Sequence, residues 1–223
     1  MVESNGVRIP ARRKPTRWGD REQRRRDILD AARSRIATQG YLSLNMRDLA
    51  AGAGISPATL YSYFATKEEL FATLYAEAIR AHTVAYRPVA EAGHGLEELL
   101  GHLIRAHVEL YRTYGRHFTL WSALRHDPGP GDEGRRVAME VMVELRAATV
   151  EQNRLQMTSL REAAARDGRR LRDDRRVASY LWATLNGLAD HLTSERRKLD
   201  PYPGSELVAF TAGRLAEAIV EPA

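Results

Sequence analysis

The sequence predicts an all-α protein: an N-terminal three-helix helix-turn-helix unit followed by a C-terminal helical bundle that dimerises. Three observations predict it. Apolar residues recur at spacings of three and four along most of the chain, and no alternating strand pattern appears. Three helix-start signals fall within residues 45–69: Asn45 ahead of Met46, Ser56 followed by Pro57, and Thr66 with Glu69 as a T-x-x-E capping box. The charge is uneven, because residues 1–70 carry 13 Lys+Arg and 8 Asp+Glu whereas the rest carry 21 of each. A cationic front on a neutral body suits contact with phosphates, which need clustered cations. The units expected are a disordered basic arm at 1–19, the helix-turn-helix at 20–68 and the body at 69–223.

Composition removes several classes. No run approaches 18 apolar residues and the start lacks a signal segment, so a cytoplasmic protein away from membranes is expected. The absence of cysteine excludes disulfides and thiolate metal sites.

In chain order, the arm holds Arg12, Arg13, Lys14 and Arg17 among prolines and glycines, and reads either as a solvated tail or as a minor-groove contact. Residues 20–38 form an amphipathic helix burying Ile28, Leu29, Ala32 and Ile36. Arg21, Arg24, Arg25 and Arg26 crowd its expected first turns, where the helix dipole disfavours cations and a nearby polyanion would relieve them. Gly54 is suited to end the next helix. Leu60 and Phe64 then face inward on a second helix, expected over 57–64, and turn Pro57, Ala58, Thr59, Ser62 and Tyr63 outward. That face is small and rich in hydroxyls. It can sit deep in a major groove, with Thr59 as base reader and Arg47 and Lys67 reaching bases or phosphates.

The series Gly40, Tyr41, Leu49, Ala50, Ala53, Gly54, Ile55, Ser56, Leu60, Tyr61, Tyr63, Phe64, Lys67, Glu68 and Leu70 closely resembles the DNA-binding domain of TetR-family transcriptional regulators. The resemblance covers residues 20–75. It implies that Asn45, Arg47, Pro57, Ala58, Thr59, Tyr61, Ser62, Tyr63 and Lys67 occupy DNA-facing positions, although Tyr61 also reads as half-buried scaffold. It further implies a homodimer on a pseudo-palindromic duplex, a small apolar or amphipathic effector, and no cofactor. Leu44, Pro57 and Ala58 depart from the family pattern, which shifts base readout toward Thr59, Arg47 and the arm.

Helix three, from 67, continues as a long connecting helix that Pro88 is expected to stop. Further helices are expected at 96–113, 118–126, 132–167, 173–197 and 205–219. Thr149, Gln152 and Asn153 interrupt an apolar stripe, a pattern that marks either a chamber lining or a solvated face. The pocket candidates are His107, Tyr111, Tyr114, Phe118, Trp121, Met142, Gln152, Trp182 and Asn186, with Tyr75 and Met139 as further interior residues. Leu181, Leu185, Leu188, Leu192, Leu207, Phe210 and Leu215 are the dimer candidates. The resemblance pairs the last two helices across a dimer.

Two rival classes stay in view. A helical enzyme would need convergent His and carboxylate groups, yet neither HExxH nor G-x-S-x-G occurs, so no catalytic residue or metal ligand is assigned. An architectural DNA binder would show little sequence preference.

Overall fold

The computed structural model describes residues 17–117, 137 and 139–223, with side chains described from residue 21. The N-terminal unit comprises α1 (Arg17–Gln39), α2 (Met46–Gly52) and α3 (Pro57–Tyr61), and α4 (Lys67–Glu91) leaves it. All three helix starts are capped. Asn45 Oδ1 accepts from the Arg47 N–H at 2.8 Å, Ser56 Oγ from the Thr59 N–H at 3.1 Å, and Thr66 Oγ1 from the Glu69 N–H at 3.0 Å. Each such cap is worth about 1 kcal/mol. After α2, the N–H of Ile55 donates to the Ala50 carbonyl at 3.0 Å and that of Gly54 to Ala51 at 3.1 Å. This is a Schellman closure, and Gly54 takes the φ of +66° that it requires. Ile28, Leu29, Ala32, Ile36, Leu49, Leu60, Phe64 and Phe71 then form one buried core.

Two expectations change here. Helix α1 begins at Arg17 instead of residue 20, so Arg21 to Arg26 occupy the second and third turns, beyond the reach of the dipole. No polyanion is needed to relieve them: Arg26 pairs with Glu22 at 3.6 Å, while Arg21 and Arg25 lie over the rings of Tyr63 and Phe64. Helix α3 also stops at Tyr61, and a turn carries Phe64 back to the core, its N–H donating to the Leu60 carbonyl at 3.1 Å.

The body comprises α5 (Leu96–Leu110), a π-helical turn (Tyr111–Gly115), α6 (Met139–Arg166), β1 (Arg169–Leu171), α7 (Asp174–Thr193), a 3₁₀ turn (Glu195–Leu199), α8 (Gly204–Ala218) and β2 (Val220–Pro222). The expected helix at 118–126 and the first residues of that at 132–167 lie outside the described residues. Pro88 does not stop α4, which runs three residues further. Val84, four residues earlier, is 71% exposed, so the carbonyl deprived of its partner by Pro88 lies on the solvent side.

The all-α frame also carries a short two-stranded ribbon. β1 and β2 pair antiparallel, with Leu171 opposite Val220, both buried, and Arg170 bonded to Glu221 at 2.7 Å. Three-residue strands are too short to display a period of two, which is why the pattern did not reveal them.

Helix α4 joins every core. Its first turns give Leu70, Phe71 and Leu74 to the N-terminal unit. Its middle gives Ala72, Ala76 and Ile79 to a seam with Leu145 and Ala148 of α6, and its end gives Tyr86 and Ala90 to the main body core.

Candidate nucleic-acid interface and ligand cavity

The outward face of α3 stands as the amphipathic pattern requires. Pro57, Ala58 and Ser62 are exposed, Tyr61 is 46% exposed, and Thr59 and Tyr63 are partly covered. The Ser56 and Thr59 hydroxyls lie 2.8 Å apart, and Ser62 Oγ donates to the Thr59 carbonyl at 2.7 Å. The Ser56, Thr59 and Ser62 hydroxyls are therefore held in place before any partner arrives. Asn45 and Arg47 are exposed at the start of α2, with the Asn45 oxygen already committed to its cap. Lys67 is half-buried: its Nζ donates to the Leu42 carbonyl at 3.3 Å and sits 4.3 Å from the Tyr41 ring centre. Burial holds its pKa below the usual lysine value. Arg12, Arg13 and Lys14 lie outside the described residues, and Arg17 opens α1.

Tyr114 leaves the pocket set. It belongs to the core of the N-terminal unit, with its ring 6.1 Å from Phe71 and 6.0 Å from Tyr75. The π-helical turn shifts the register of the preceding helix and presents Tyr111 and Tyr114, both buried, on either side of this contact. Gly115 is obligatory there, since a Cβ would come within 2.2 Å of the Tyr111 ring. Across the same boundary Arg33 of α1 bonds Glu77 of α4 at 2.9 Å.

A cavity of about 140 Å³ lies directly behind this boundary. Tyr75 and Ile79 of α4, His107 of α5 and Gly115 wall one side; Thr149, Gln152, Asn153 and Gln156 of α6 face Trp182 and Asn186 of α7 on the other. Of the pocket candidates, His107, Gln152, Trp182 and Asn186 line this cavity together. Tyr111 is instead beside Asp190, their oxygens 3.5 Å apart; Met142 lies outside the lining and is 36% exposed; Met139 is 74% exposed; Phe118 and Trp121 lie outside the described residues. Gln156, Met157 and Ala178 are additional lining residues. The signal for Gln156 was available, because 149, 152, 153 and 156 share one helical face.

The chemistry of this cavity is polar but uncharged. Among the described residues no Asp, Glu, Lys or Arg lines it. Burial, reinforced by nearby His82, lowers the His107 pKa to about 4, so the ring is neutral near neutral pH, and its Nε2 makes no well-formed hydrogen bond. Gln152 reaches past it to His82 Nδ1 at 2.8 Å. Burial also pushes the Tyr75 phenol up to about 12.

Of the dimer candidates, Leu181 and Leu185 line the cavity and are buried within the protomer, as is Leu215; Leu188, Leu192 and Leu207 are partly covered, and Phe210 is 65% exposed. Tyr180, Ala183 and Gly187, spaced along one side of α7, are exposed as well.

Residues 28–74 match the family profile described as bacterial regulatory proteins, tetR family. The chain is 33% identical over 84 residues to the HTH-type transcriptional repressor KstR2 of Mycobacterium tuberculosis, a match covering 37% of this chain and 42% of that protein. Matches of this kind span between about a quarter and two fifths of the length of the curated relatives. Among solved structures, a transcriptional regulator from Saccharomonospora viridis in complex with choline superposes with a TM-score of 0.64 at 17% identity, covering 90% of this chain and 99% of that one. The regulator FadR of Bacillus subtilis in complex with stearoyl-CoA superposes with a TM-score of 0.58 at 21% identity, covering 87% and 98%. At such identities the likeness is one of fold. No helix among the described residues is long and apolar enough to cross a membrane.

Proposed function

We propose that this chain, a TetR-family protein by its residues 28–74 and its all-helical fold, is a dimeric regulator of transcription that binds a pseudo-palindromic duplex and is released by a small ligand. The observation that carries the reading is α4, one helix whose start packs in the DNA-binding core and whose middle walls the cavity. In a dimer, two copies of α3 would enter successive major grooves, Thr59 and Arg47 reading bases while Tyr63, Lys67 and the arm hold phosphates. The exposed Tyr180, Ala183, Gly187 and Phe210, with part-covered Leu188 and Leu207, supply apolar and small surface for pairing α7 and α8 between subunits. Repression is the direction that the repressor relative supports.

The cavity narrows the effector class. With neutral His107, four side-chain amides and a threonine hydroxyl facing aromatic and aliphatic walls, it suits an uncharged molecule with an apolar body and hydrogen-bonding groups. Its present volume is close to that of a cavity that accepts a single benzene ring. A larger ligand would have to displace a wall of the cavity, and displacement of α4 would change the spacing of the two reading helices. A ligand shifts occupancy only insofar as it prefers one spacing.

Gel-shift titration against the DNA upstream of its own coding sequence tests this. The reading requires a specific band that survives competitor DNA; its absence would remove it. Arg47→Ala and Lys67→Ala should each weaken binding and lower the steepness of its salt dependence by about one phosphate contact. For Lys67 the effect requires release from Tyr41 and the Leu42 carbonyl, so Tyr41→Leu is a useful control for packing.

A further inference from the structure

The joint between α4 and α5 carries a side-chain constellation that neither DNA binding nor the cavity uses. His94, Glu98 and His102 follow one another at intervals of four, and one ligand atom from each lies within 4.8 Å of the other two. His94 Nδ1 is 3.0 Å from Glu98 Oε2, and the two imidazole centres are 4.8 Å apart. The backbone on which His94 sits is fixed from α6: Arg166 donates to the His94 carbonyl at 2.7 Å, and Asp167 accepts from the Leu96 N–H at 2.9 Å. Glu98 also lines an open groove with Gly95, Gly101 and Arg105, so the carboxylate is reachable from solvent.

We propose that His94, Glu98 and His102 bind one first-row transition-metal ion, with Zn²⁺ as its natural probe. Two imidazoles and a carboxylate are the donors such ions prefer over Mg²⁺ or Ca²⁺, which take oxygen shells. Around tetrahedral zinc, bond lengths near 2.0–2.1 Å set neighbouring donors about 3.3 Å apart. The His94–Glu98 pair is already close to that separation, and His102 closes the remainder by rotating its side chain. Three protein ligands on a solvent-facing surface leave a fourth position for water or for an incoming group. The clamp would span the connection from α4 into α5 and tie His94, two residues ahead of α5, to its first and second turns. It is independent of the cavity, whose His107 lies on another face of α5.

Isothermal titration of metal-free full-length protein with Zn²⁺ tests the site. The expected result is one ion per chain, weakened at least tenfold by Glu98→Gln and by His102→Asn, and unchanged by His191→Asn elsewhere on the surface. Glu98→Gln keeps the shape of an exposed side chain, so a folding defect would not mimic the loss; circular dichroism of each variant confirms it. Cobalt(II) should give the visible absorption of a low-coordinate site in the wild type and lose it in Glu98→Gln. Absence of binding, or binding equal in all variants, would overturn the assignment.

Discussion

The N-terminal unit and the body hold their shapes by different means, and the contrast explains why one can be read from sequence and the other cannot. In the N-terminal unit short-range chemistry decides: Asn45, Ser56 and Thr66 cap, Gly54 closes the turn, and Leu60 and Phe64 are completely or almost completely buried. Every one of those interactions joins residues within a few positions of each other, or points a short helix into one core. In the body, long helices meet through partners 60 to 80 positions apart, as in Gln152 on His82 or Tyr111 on Asp190. The first unit holds the hydroxyls of α3 with local hydrogen bonds, whereas the second encloses a cavity lined by uncharged polar side chains.

The strongest way to break this contrast is to open the smaller core. Phe64→Ala should cost about 3–5 kcal/mol, abolish DNA binding, and split thermal unfolding into an early loss of the N-terminal unit and a later loss of the body. A single concerted transition would mean that α4 fuses the two units into one cooperative body.

The next effect probes the cavity through pH. Burial holds His107 at about 4 in the folded chain against an ordinary value of 6.5. Above pH 6.5 both states are neutral there and the residue adds no pH dependence. As pH falls from 6.5 toward 4 the unfolded chain takes up the proton first, so stability falls, by up to about 3 kcal/mol, and then levels. His82, also held down by burial, acts in the same direction. Denaturant unfolding across this range should show a shallower acid loss in His107→Gln than in the wild type; equal slopes would mean that the ring is not held neutral.

A smaller effect sharpens the claim about capping. Ser56→Ala should cost about 1 kcal/mol and, by freeing Thr59 Oγ1 from its 2.8 Å partner, weaken DNA binding by more than that loss of stability alone accounts for. The comparison to make is with Thr66→Ala, a cap of similar worth whose hydroxyl is remote from the reading face.

These differences account for what was legible in the sequence. Helix starts, the turn at Gly54 and the inward pair Leu60 and Phe64 depend on neighbours in sequence, and their spacing displays them. The N-terminus of α1 lies three residues before the position expected, because Gly19 and the lack of apolar periodicity before it hide the first turn. The β1–β2 ribbon joins Arg169–Leu171 to a segment some fifty residues later, and the π-helical turn reflects the contact of Tyr111 with Gly115; neither leaves a periodic trace. Aromatic content alone could not separate Tyr114, packed on Phe71, from a cavity residue. Thr149, Gln152 and Asn153 share one helical face and line the cavity together, a placement that their spacing alone displays.

The central claim is that α4 couples the cavity to the reading face, and coupling free energies are reciprocal. Hydrogen exchange of the full-length protein, with and without specific upstream DNA, tests it without knowing the effector. The account predicts altered protection along residues 75–82 of α4 and 182–186 of α7, absent with mixed-sequence DNA of equal length. Changes confined to residues 17–67 would contradict it.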